Sequence, residues 1–419
     1  MRMRRSMGWR MAAGAALLGM GALVAGCGTS AAPTAKAPTQ ITVGTLYAGS
    51  GAFATSSLPE YQGLQFWAQQ VNAKGGAFVK AYNKRIKVKI VAYNDQSSAT
   101  TATTLYTQLI TQNKVNLLVA DFGSVLTSVA VPIAREHKMV LFDITGTGAS
   151  FFTPHNKYIV LTSLPTSGVW PDSLAGFLLH KGIKRVAILY LTNDFDQSQA
   201  TTLASRLKAG GVTPVYDHGV PTSTSSYNVL IHAMAQSKPD AVIELGYPNN
   251  DIAFLQALAS SGQHFNMVFT VFPGQLLSLL QKNVGAKGLA YTYTYPTPPL
   301  LAYNKVNYGL SLSQFTKVFQ QRMHTGVNFL TIAGYNAGLV IQKTLATAKS
   351  LRQSDLRQAV AGFSGKIFTL DGRFRINSEG AQVGETLPVG QLVPTAKGLR
   401  MVVVYPAKVK TGSAVYPAP

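Results

Sequence analysis

Hydroxyl, glycine and aromatic residues recur in the segments that directly follow short apolar runs of this sequence. These segments are Tyr47–Phe53, Asn94–Ser98, Asp121–Ser124, Asp143–Ser150, Asn193–Asp196, Gly246–Asn250 and Phe272–Gln275. In open parallel sheets, ligands bind beyond the carboxyl ends of the strands. Loop N–H groups and hydroxyls suit a small anion such as a carboxylate, and aromatic rings supply an apolar wall. The sequence therefore predicts a small-ligand site built from these loops.

Apolar runs and segments of helical spacing alternate along the chain and would position those loops. Predicted strands are Ile41–Leu46, Ile86–Tyr93, Val115–Ala120, Met139–Phe142, Arg185–Leu191, Val212–Tyr216, Asp240–Leu245 and Met267–Val271, and predicted helices are Glu60–Asn72, 99–113, 125–137, 196–209, 227–236 and 250–261. Few hairpin signals interrupt this alternation, which is typical of parallel sheets covered by helices. Two such series predict an α/β protein with two doubly wound lobes.

The single cysteine indicates a different kind of chemistry. Four arginines in the first ten residues precede an apolar run over 11–25, and the run ends in Leu23-Val24-Ala25-Gly26-Cys27. This layout is that of a secretory signal, and the run is short for a membrane span. The ending resembles a bacterial lipobox, in which the cysteine becomes the lipidated first residue. We expect a signal peptide over 1–26, a lipid on Cys27 and a flexible linker to residue 40; the alternative is an ordinary signal peptide with an incidental cysteine.

The charge balance raises the possibility of a nucleic-acid partner. The 419 residues contain 37 Lys and Arg against 16 Asp and Glu, a formal net charge of +21. Loss of the signal peptide would remove four of the arginines. The densest basic stretch, Lys84–Lys89, alternates like a strand with one solvated face, so we expect no nucleic-acid binding. The excess of basic over acidic residues reflects a scarcity of Asp and Glu. One hypothesis for this scarcity is that the protein works in an acidic habitat.

Motifs for catalysis or metal binding are absent from the sequence. It has no G-x-S-x-G elbow, no phosphate-binding G-x-x-x-x-G-K-[ST] loop and no H-E-x-x-H pair, and its seven histidines are scattered. One cysteine can form neither an internal disulfide nor a thiolate zinc site. We therefore expect no enzyme activity, no cofactor and no metal; an amidase- or esterase-like enzyme is the alternative that turnover of a ligand would reveal.

The order of several motifs resembles a known family. The motifs are Val71-Asn72-Ala73-Lys74-Gly75-Gly76, Tyr93-Asn94-Asp95-Gln96-Ser97, Arg185-Val186-Ala187-Ile188-Leu189-Tyr190, Lys238-Pro239-Asp240-Ala241-Val242 with Gly246-Tyr247, Leu370-Asp371-Gly372-Arg373-Phe374-Arg375-Ile376 and Met401–Tyr405. Over residues 41–410 the chain resembles type I periplasmic solute-binding proteins of the branched-chain amino-acid ABC-transporter class.

This resemblance implies two lobes that are joined by three hinge crossovers and close around a ligand. The expected limits are 41–163 plus 298–365 for the N-terminal lobe, 164–297 plus 366–410 for the C-terminal lobe, and 411–419 for a tail. It also implies an extracytoplasmic, monomeric protein that works with an ABC permease and ATPase. A ligand-sensing receptor subunit on the same fold is the alternative.

The family's carboxylate-binding positions fall on Ser124, Thr145 and Thr147 in this sequence. Gly146 lies between the two threonines and supplies an N–H group or turn geometry. The alternative for Ser124 is that it caps the helix that follows it.

The family's ammonium-binding side does not carry over, because the expected acid falls in the acid-free segment 270–274. Asp121 could replace it, although a solvated loop aspartate is the simpler interpretation. Aromatic candidates for the ligand wall, each of which could instead be packing, are Phe53, Trp170, Phe195 and Tyr247. A buried ammonium without an acid is costly. We therefore expect a carboxylate-bearing ligand, either an amino acid held differently or an apolar or aromatic acid, with an amide as the non-acidic alternative.

Overall fold

The predicted alternation of strands and helices is present in the computed structural model, which describes residues 36–303 and 305–419. The strands of the two large sheets are β1 Gln40–Tyr47, β2 Ala77–Val79, β3 Lys84–Asn94, β4 Leu117–Val119, β5 Leu141–Asp143, β6 Ile159–Leu161, β7 Val186–Leu191, β8 Tyr216–Val220, β9 Ala241–Leu245, β10 Val268–Phe269, β11 Tyr293–Thr294, β14 Val389–Thr395 and β15 Gly398–Tyr405, and a separate hairpin pairs β12 Ile367–Thr369 with β13 Gly372–Phe374. The helices are α1 Ala54–Ala73, α2 Ala99–Thr111, α3 Gly123–Glu136, α4 Pro171–His180, α5 Asp194–Ala209, α6 Asn228–Gln236, α7 Pro248–Ser260, α8 Leu277–Leu289 (interrupted at Gly285), α9 Leu312–Met323, α10 Phe329–Thr347 and α11 Gln353–Phe363.

Two sheets organise residues 38–419. The first has the order β2-β3-β1-β4-β5-β6, and the second has the order β15-β14-β11-β10-β9-β7-β8. Strands β1, β3, β4, β5 and β6 pair in parallel, as do β7 to β11, while β2, β14 and β15 join antiparallel at the edges. We call the units built on these sheets the first lobe and the second lobe. The expected α/β architecture with two parallel-sheet lobes is confirmed.

The chain passes between the lobes three times. It leaves the first sheet after β6 and enters the second at β7, returns after β11 to helices α9 to α11 that pack in the first lobe, and reaches the second sheet again at β14. The predicted limits at 163, 297 and 365 fall within these passages and stay predictions as hinge positions.

Local sequence accounts for most elements. In β3, Ile86 and Val88 are buried while the alternating Lys87 and Lys89 are exposed, which confirms the predicted solvated face. Helix α1 ends at Ala73, directly before Lys74-Gly75-Gly76, as the glycines predict. The strand predicted over 212–216 was wrong, because Val212 closes the end of α5 by donating its N–H to the Leu207 carbonyl and Pro214 has no N–H to give. Strand β8 begins four residues later, at Tyr216.

Helices α1 and α10 pack backbone to backbone in the first lobe. A Cβ on Gly334 would lie 2.0 Å from the Glu60 carbonyl oxygen, and one on Gly338 would lie 2.1 Å from the Trp67 ring. Only glycine allows this approach at both positions. The close packing sets Glu60 at the edge of the sheet where the predicted loops meet.

Candidate functional site

Buried aspartates shape the two hydroxyl-bearing loops of the first lobe. Asp121, after β4, accepts hydrogen bonds from the Phe122 N–H at 2.6 Å and the Ser57 hydroxyl at 2.5 Å. Asp143, at the end of β5, accepts the Gly146 N–H at 2.7 Å. The interpretation of Asp121 as a solvated loop residue was wrong, since it is 3% exposed. Its carboxyl group fixes the loop that starts α3.

Thr145 is fully engaged within the first lobe. Its hydroxyl donates to the Glu60 carboxyl group at 2.6 Å and accepts the Gly123 N–H at 3.0 Å. Thr147 differs, because its buried Oγ1 has no hydrogen-bond partner. Its backbone N–H donates to the Thr145 carbonyl at 2.9 Å, which holds the loop in place. Of these two threonines, Thr147 is therefore the one whose hydroxyl is available to bind a ligand.

Ser124 joins the two lobes through its backbone. Its N–H donates to the Tyr247 hydroxyl at 3.1 Å, and its Oγ accepts the Gly148 N–H at 2.9 Å. The alternative that Ser124 caps α3 was wrong, because the cap residue is Phe122 and no side-chain cap bond forms. Gly123 has a φ of 72°, and a Cβ there would lie 3.0 Å from the Tyr247 ring. Glycine thus permits both the turn and the close approach of the second lobe.

Tyr247 is the centre of an aromatic cluster that spans the cleft. Its ring centroid lies 5.2 Å from that of Phe53, 5.3 Å from Phe195 and 5.9 Å from Phe122. Trp170 packs edge-on against Phe195 at 5.2 Å. These distances suit favourable ring–ring contacts. The rings predicted as ligand wall or as packing are therefore in mutual contact.

Further polar contacts hold the lobes together on either side of this cluster. Asp194 accepts hydrogen bonds from the Ser150 hydroxyl at 2.6 Å and the Ser150 N–H at 3.1 Å. The Asn249 side chain donates to the Ala52 carbonyl at 2.8 Å. The structure is therefore a closed arrangement of the two lobes.

A small cavity lies between the lobes at the carboxyl ends of the strands. Its lining combines six aromatic rings with small polar and aliphatic residues, none of them charged: Phe122, Gly123, Thr145, Thr147, Leu164, Trp170, Phe195, Tyr247, Phe272, Gln275, Phe329 and Leu330. The cavity has a volume of about 20 Å³, which is room for about one water molecule. A larger ligand would need the lobes to separate or the rings to turn.

Five of the eight predicted ligand residues line this cavity, namely Thr145, Thr147, Trp170, Phe195 and Tyr247. Ser124, Gly146 and Phe53 lie beside it and act through the contacts given above. The sequence prediction missed seven lining residues, namely Phe122, Gly123, Leu164, Phe272, Gln275, Phe329 and Leu330. Phe122, Phe272 and Gln275 stand in segments after strands, which was a usable signal. Phe329 and Leu330 begin α10, for which no strand-end signal exists.

Half of the acids in this acid-poor chain are buried. The eight are Glu60, Asp95, Asp121, Asp143, Asp196, Glu244, Asp251 and Asp371, out of 16. Burial is the main cause that raises their pKa values, to about 7 for Asp251 and about 6 for Asp371. The two ion pairs within the described residues, Arg206–Asp172 and Arg352–Asp355, involve other acids.

Two kinds of feature are absent from the described residues. Across 36–303 and 305–419, no group of three or more His, Cys, Asp or Glu side chains is arranged to hold a metal ion. In the same part of the chain, no helix combines the length and apolar character needed to cross a bilayer. Cys27 and the predicted signal peptide lie outside the described residues.

Two parallel-sheet lobes, three crossings and a cleft at the carboxyl ends of the strands define a two-lobed binding-protein fold. Residues 40–398 match the sequence model described as "Periplasmic binding protein". The chain belongs to this family, and the resemblance to its type I, branched-chain amino-acid class is confirmed.

Individual relatives are distant. The Leu/Ile/Val-binding protein homolog 8 of Brucella abortus is 25% identical over 236 residues, covering 52% of this chain and 55% of the relative. The chain thus spans about half the length of this curated relative.

Two solved structures share the fold. A leucine-binding protein from Thermotoga maritima has a TM-score of 0.74 at 14% identity, with 88% of this chain and 99% of that chain covered. An ABC-transporter solute-binding protein from R. palustris, in complex with benzoate, has a TM-score of 0.72 at 16% identity, with 87% and 96% covered.

Proposed function

We propose that the protein is an extracytoplasmic solute-binding lipoprotein that captures a small aromatic or apolar carboxylic acid between its lobes. It would deliver this ligand to the permease and ATPase of an ABC importer. The observation that carries the proposal is the cavity between the lobes, whose described lining has six rings and no charged side chain. Rings favour an apolar body, and neutral loop donors can hold a carboxylate.

The uncharged lining separates ligand classes. An amino acid would place its ammonium group among rings and neutral amides, where a buried charge without an acid partner is costly. A ring acid places its apolar body against the rings and its carboxyl group against the Thr147 hydroxyl, which has no protein partner. The R. palustris structure with benzoate is a precedent on the same fold.

A panel of four compounds tests the ligand class by isothermal titration and thermal shift. We expect benzoate to bind and to raise the Tm, benzamide to bind more weakly, and L-leucine and L-phenylalanine not to bind. The double variant Ser124→Ala with Thr147→Ala should weaken benzoate binding. Binding of benzamide alone, unaffected by the double variant, would sink the carboxylate proposal, and binding of the amino acids alone would replace it with an amino-acid function.

The lipid anchor at Cys27 is part of the same proposal. A charged start, an apolar run and a lipobox-like ending support it. Expression in a bacterial host with a labelled fatty acid should label the wild-type protein and place it in the membrane fraction. Cys27→Ser should abolish the label and release the protein. Labelled Cys27→Ser protein would contradict the anchor.

A further inference from the structure

Two polar side-chain atoms on residues that line the cavity have no hydrogen-bond partner. They are Nε2 of Gln275 and Oγ1 of Thr147, and each residue is 2% exposed. A buried polar group without a partner is costly to keep. Two of them at one small cavity indicate that a further molecule completes their hydrogen bonds.

The two residues approach the cavity from opposite lobes, and backbone bonds hold both. Thr147 follows β5 in the first lobe, and its carbonyl oxygen accepts the Ser167 N–H at 2.8 Å. Gln275 follows β10 in the second lobe, and its N–H donates to the Phe272 carbonyl at 2.9 Å. These bonds involve backbone atoms only. They position the two residues and leave the polar atoms of both side chains available for other hydrogen bonds.

The neighbouring hydroxyls are already committed. Thr145 donates its hydroxyl proton to Glu60, and Ser124 accepts the Gly148 N–H. The Tyr247 hydroxyl accepts the Ser124 N–H. Among the described residues that line the cavity, Thr147 Oγ1 and Gln275 Nε2 are therefore the buried side-chain atoms that form no hydrogen bond at all.

We propose that Gln275 and Thr147 bind the same polar group of the ligand, one from each lobe. This pair selects a ligand that presents a carboxyl group there over a ligand that presents an ammonium group. The proposal rests on the proposed function. The Gln275 N–H and the Thr147 O–H are both donors to carboxyl oxygens. Neither side chain carries a negative charge, so an ammonium group gains no ionic partner from them. A ligand bound in this way also links the lobes and favours the closed arrangement.

Near-isosteric variants test the pair. Gln275→Met and Thr147→Val keep the size of each side chain and remove its hydrogen-bonding atoms, and Gln263→Met outside the cavity is the matched control. Benzoate is titrated at one pH into each purified protein, and the Tm of the ligand-free protein is recorded. We expect Kd for benzoate to rise about tenfold or more in Gln275→Met and Thr147→Val. The control should match the wild type.

The Tm separates a binding role from a structural one. Removing an unpaired buried polar atom should leave the Tm of the ligand-free protein unchanged or higher, while the affinity for benzoate falls. A lower Tm with unchanged affinity would assign both residues a structural role and overturn the proposal.

A charged variant tests the selection. Gln275→Glu should lose benzoate binding through like-charge repulsion and keep a greater share of its benzamide binding. If wild-type protein binds benzoate and all three cavity variants bind it equally well, this inference fails while the proposed function stands. If wild-type protein binds neither benzoate nor benzamide, the proposed function fails and the inference fails with it.

Discussion

The two lobes both bury carboxyl groups near the carboxyl ends of their parallel strands, and they differ most at Glu244 of the second lobe. The first-lobe cluster is Glu60, Asp95, Asp121 and Asp143, and the second-lobe cluster is Asp196, Glu244 and Asp251. In the first lobe, hydroxyl and amide donors bond the carboxyl groups, as Ser57, Thr145 and the Gly146 N–H do. In the second lobe, both carboxyl oxygens of Glu244 are buried without a protein donor.

The contrast shows two ways to keep an acid out of water. In the first lobe, neutral donors replace much of the lost hydration. In the second, Glu244 faces the carboxyl group of Asp251, with Asp196 and the Tyr227 hydroxyl close by. Ionised carboxylates only accept hydrogen bonds, so two of them cannot bond to each other, and burial side by side favours a state in which one carries a proton. Burial and the neighbouring acids accordingly raise the pKa of Glu244.

The largest predicted effect of this burial is on the pH dependence of stability. The folded state keeps protons that the unfolded chain releases above about pH 4, so the free energy of unfolding should fall as the pH rises. The loss should extend through about pH 6 and pH 7, where Asp371 and Asp251 titrate. We expect a Tm higher at pH 4 than at pH 8 by on the order of 10 °C.

Calorimetry of the mature protein at constant ionic strength measures this dependence. Asp355, whose pKa is lowered chiefly by hydrogen bonds from Ser350 and Arg352, works in the opposite direction, but it is one group against the eight buried acids. A steep loss of Tm between pH 7 and pH 4 would contradict both the prediction and the hypothesis of an acidic habitat.

A smaller effect on stability should follow when Glu244 of the second lobe is replaced by its neutral amide. Glu244→Gln keeps the shape and supplies an N–H donor to Asp251 without a charge. We expect it to stabilise the protein by roughly 2 kcal/mol at pH 8 and to change little at pH 4. Denaturant unfolding at both pH values measures the difference, with Glu136→Gln on the exposed end of α3 as the control.

Replacing a buried acid of the first lobe by its amide is expected to have the smallest effect on stability. Asp121→Asn also supplies a donor toward Asp95, but the Ser57 and Phe122 donors already stabilise the Asp121 carboxyl group. We expect a gain of about 1 kcal/mol at pH 8. If Asp121→Asn stabilised the protein at pH 8 as much as Glu244→Gln or more, the proposed difference between the lobes would be contradicted.

Much of the fold was predictable because strand and helix periods are local. The alternation of Ile86 and Val88 with lysines identifies β3, and Lys74-Gly75-Gly76 locates the end of α1. The failure over 212–216 came from a turn that uses the Val212 N–H.

The site was predictable as a set of loops and less so as a set of contacts. Thr147 and Tyr247 were candidates because they follow strands, and both line the cavity. Asp121 looked solvated because sequence shows a loop and not the Ser57 hydroxyl that approaches it from α1. Gln275 stood in a candidate segment, but its unpaired Nε2 depends on groups of both lobes.

The sequence by itself determined the order of strands and helices, the loops that reach the cleft and the scarcity of acid. Each depends on residue types and on spacing within one segment. The tertiary structure alone decided that half of the acids are buried, that Tyr247 bonds to Ser124, and that Gln275 and Thr147 face one cavity. Those properties depend on distances between segments far apart in the chain, where hydrogen bonding and desolvation act over a few ångströms.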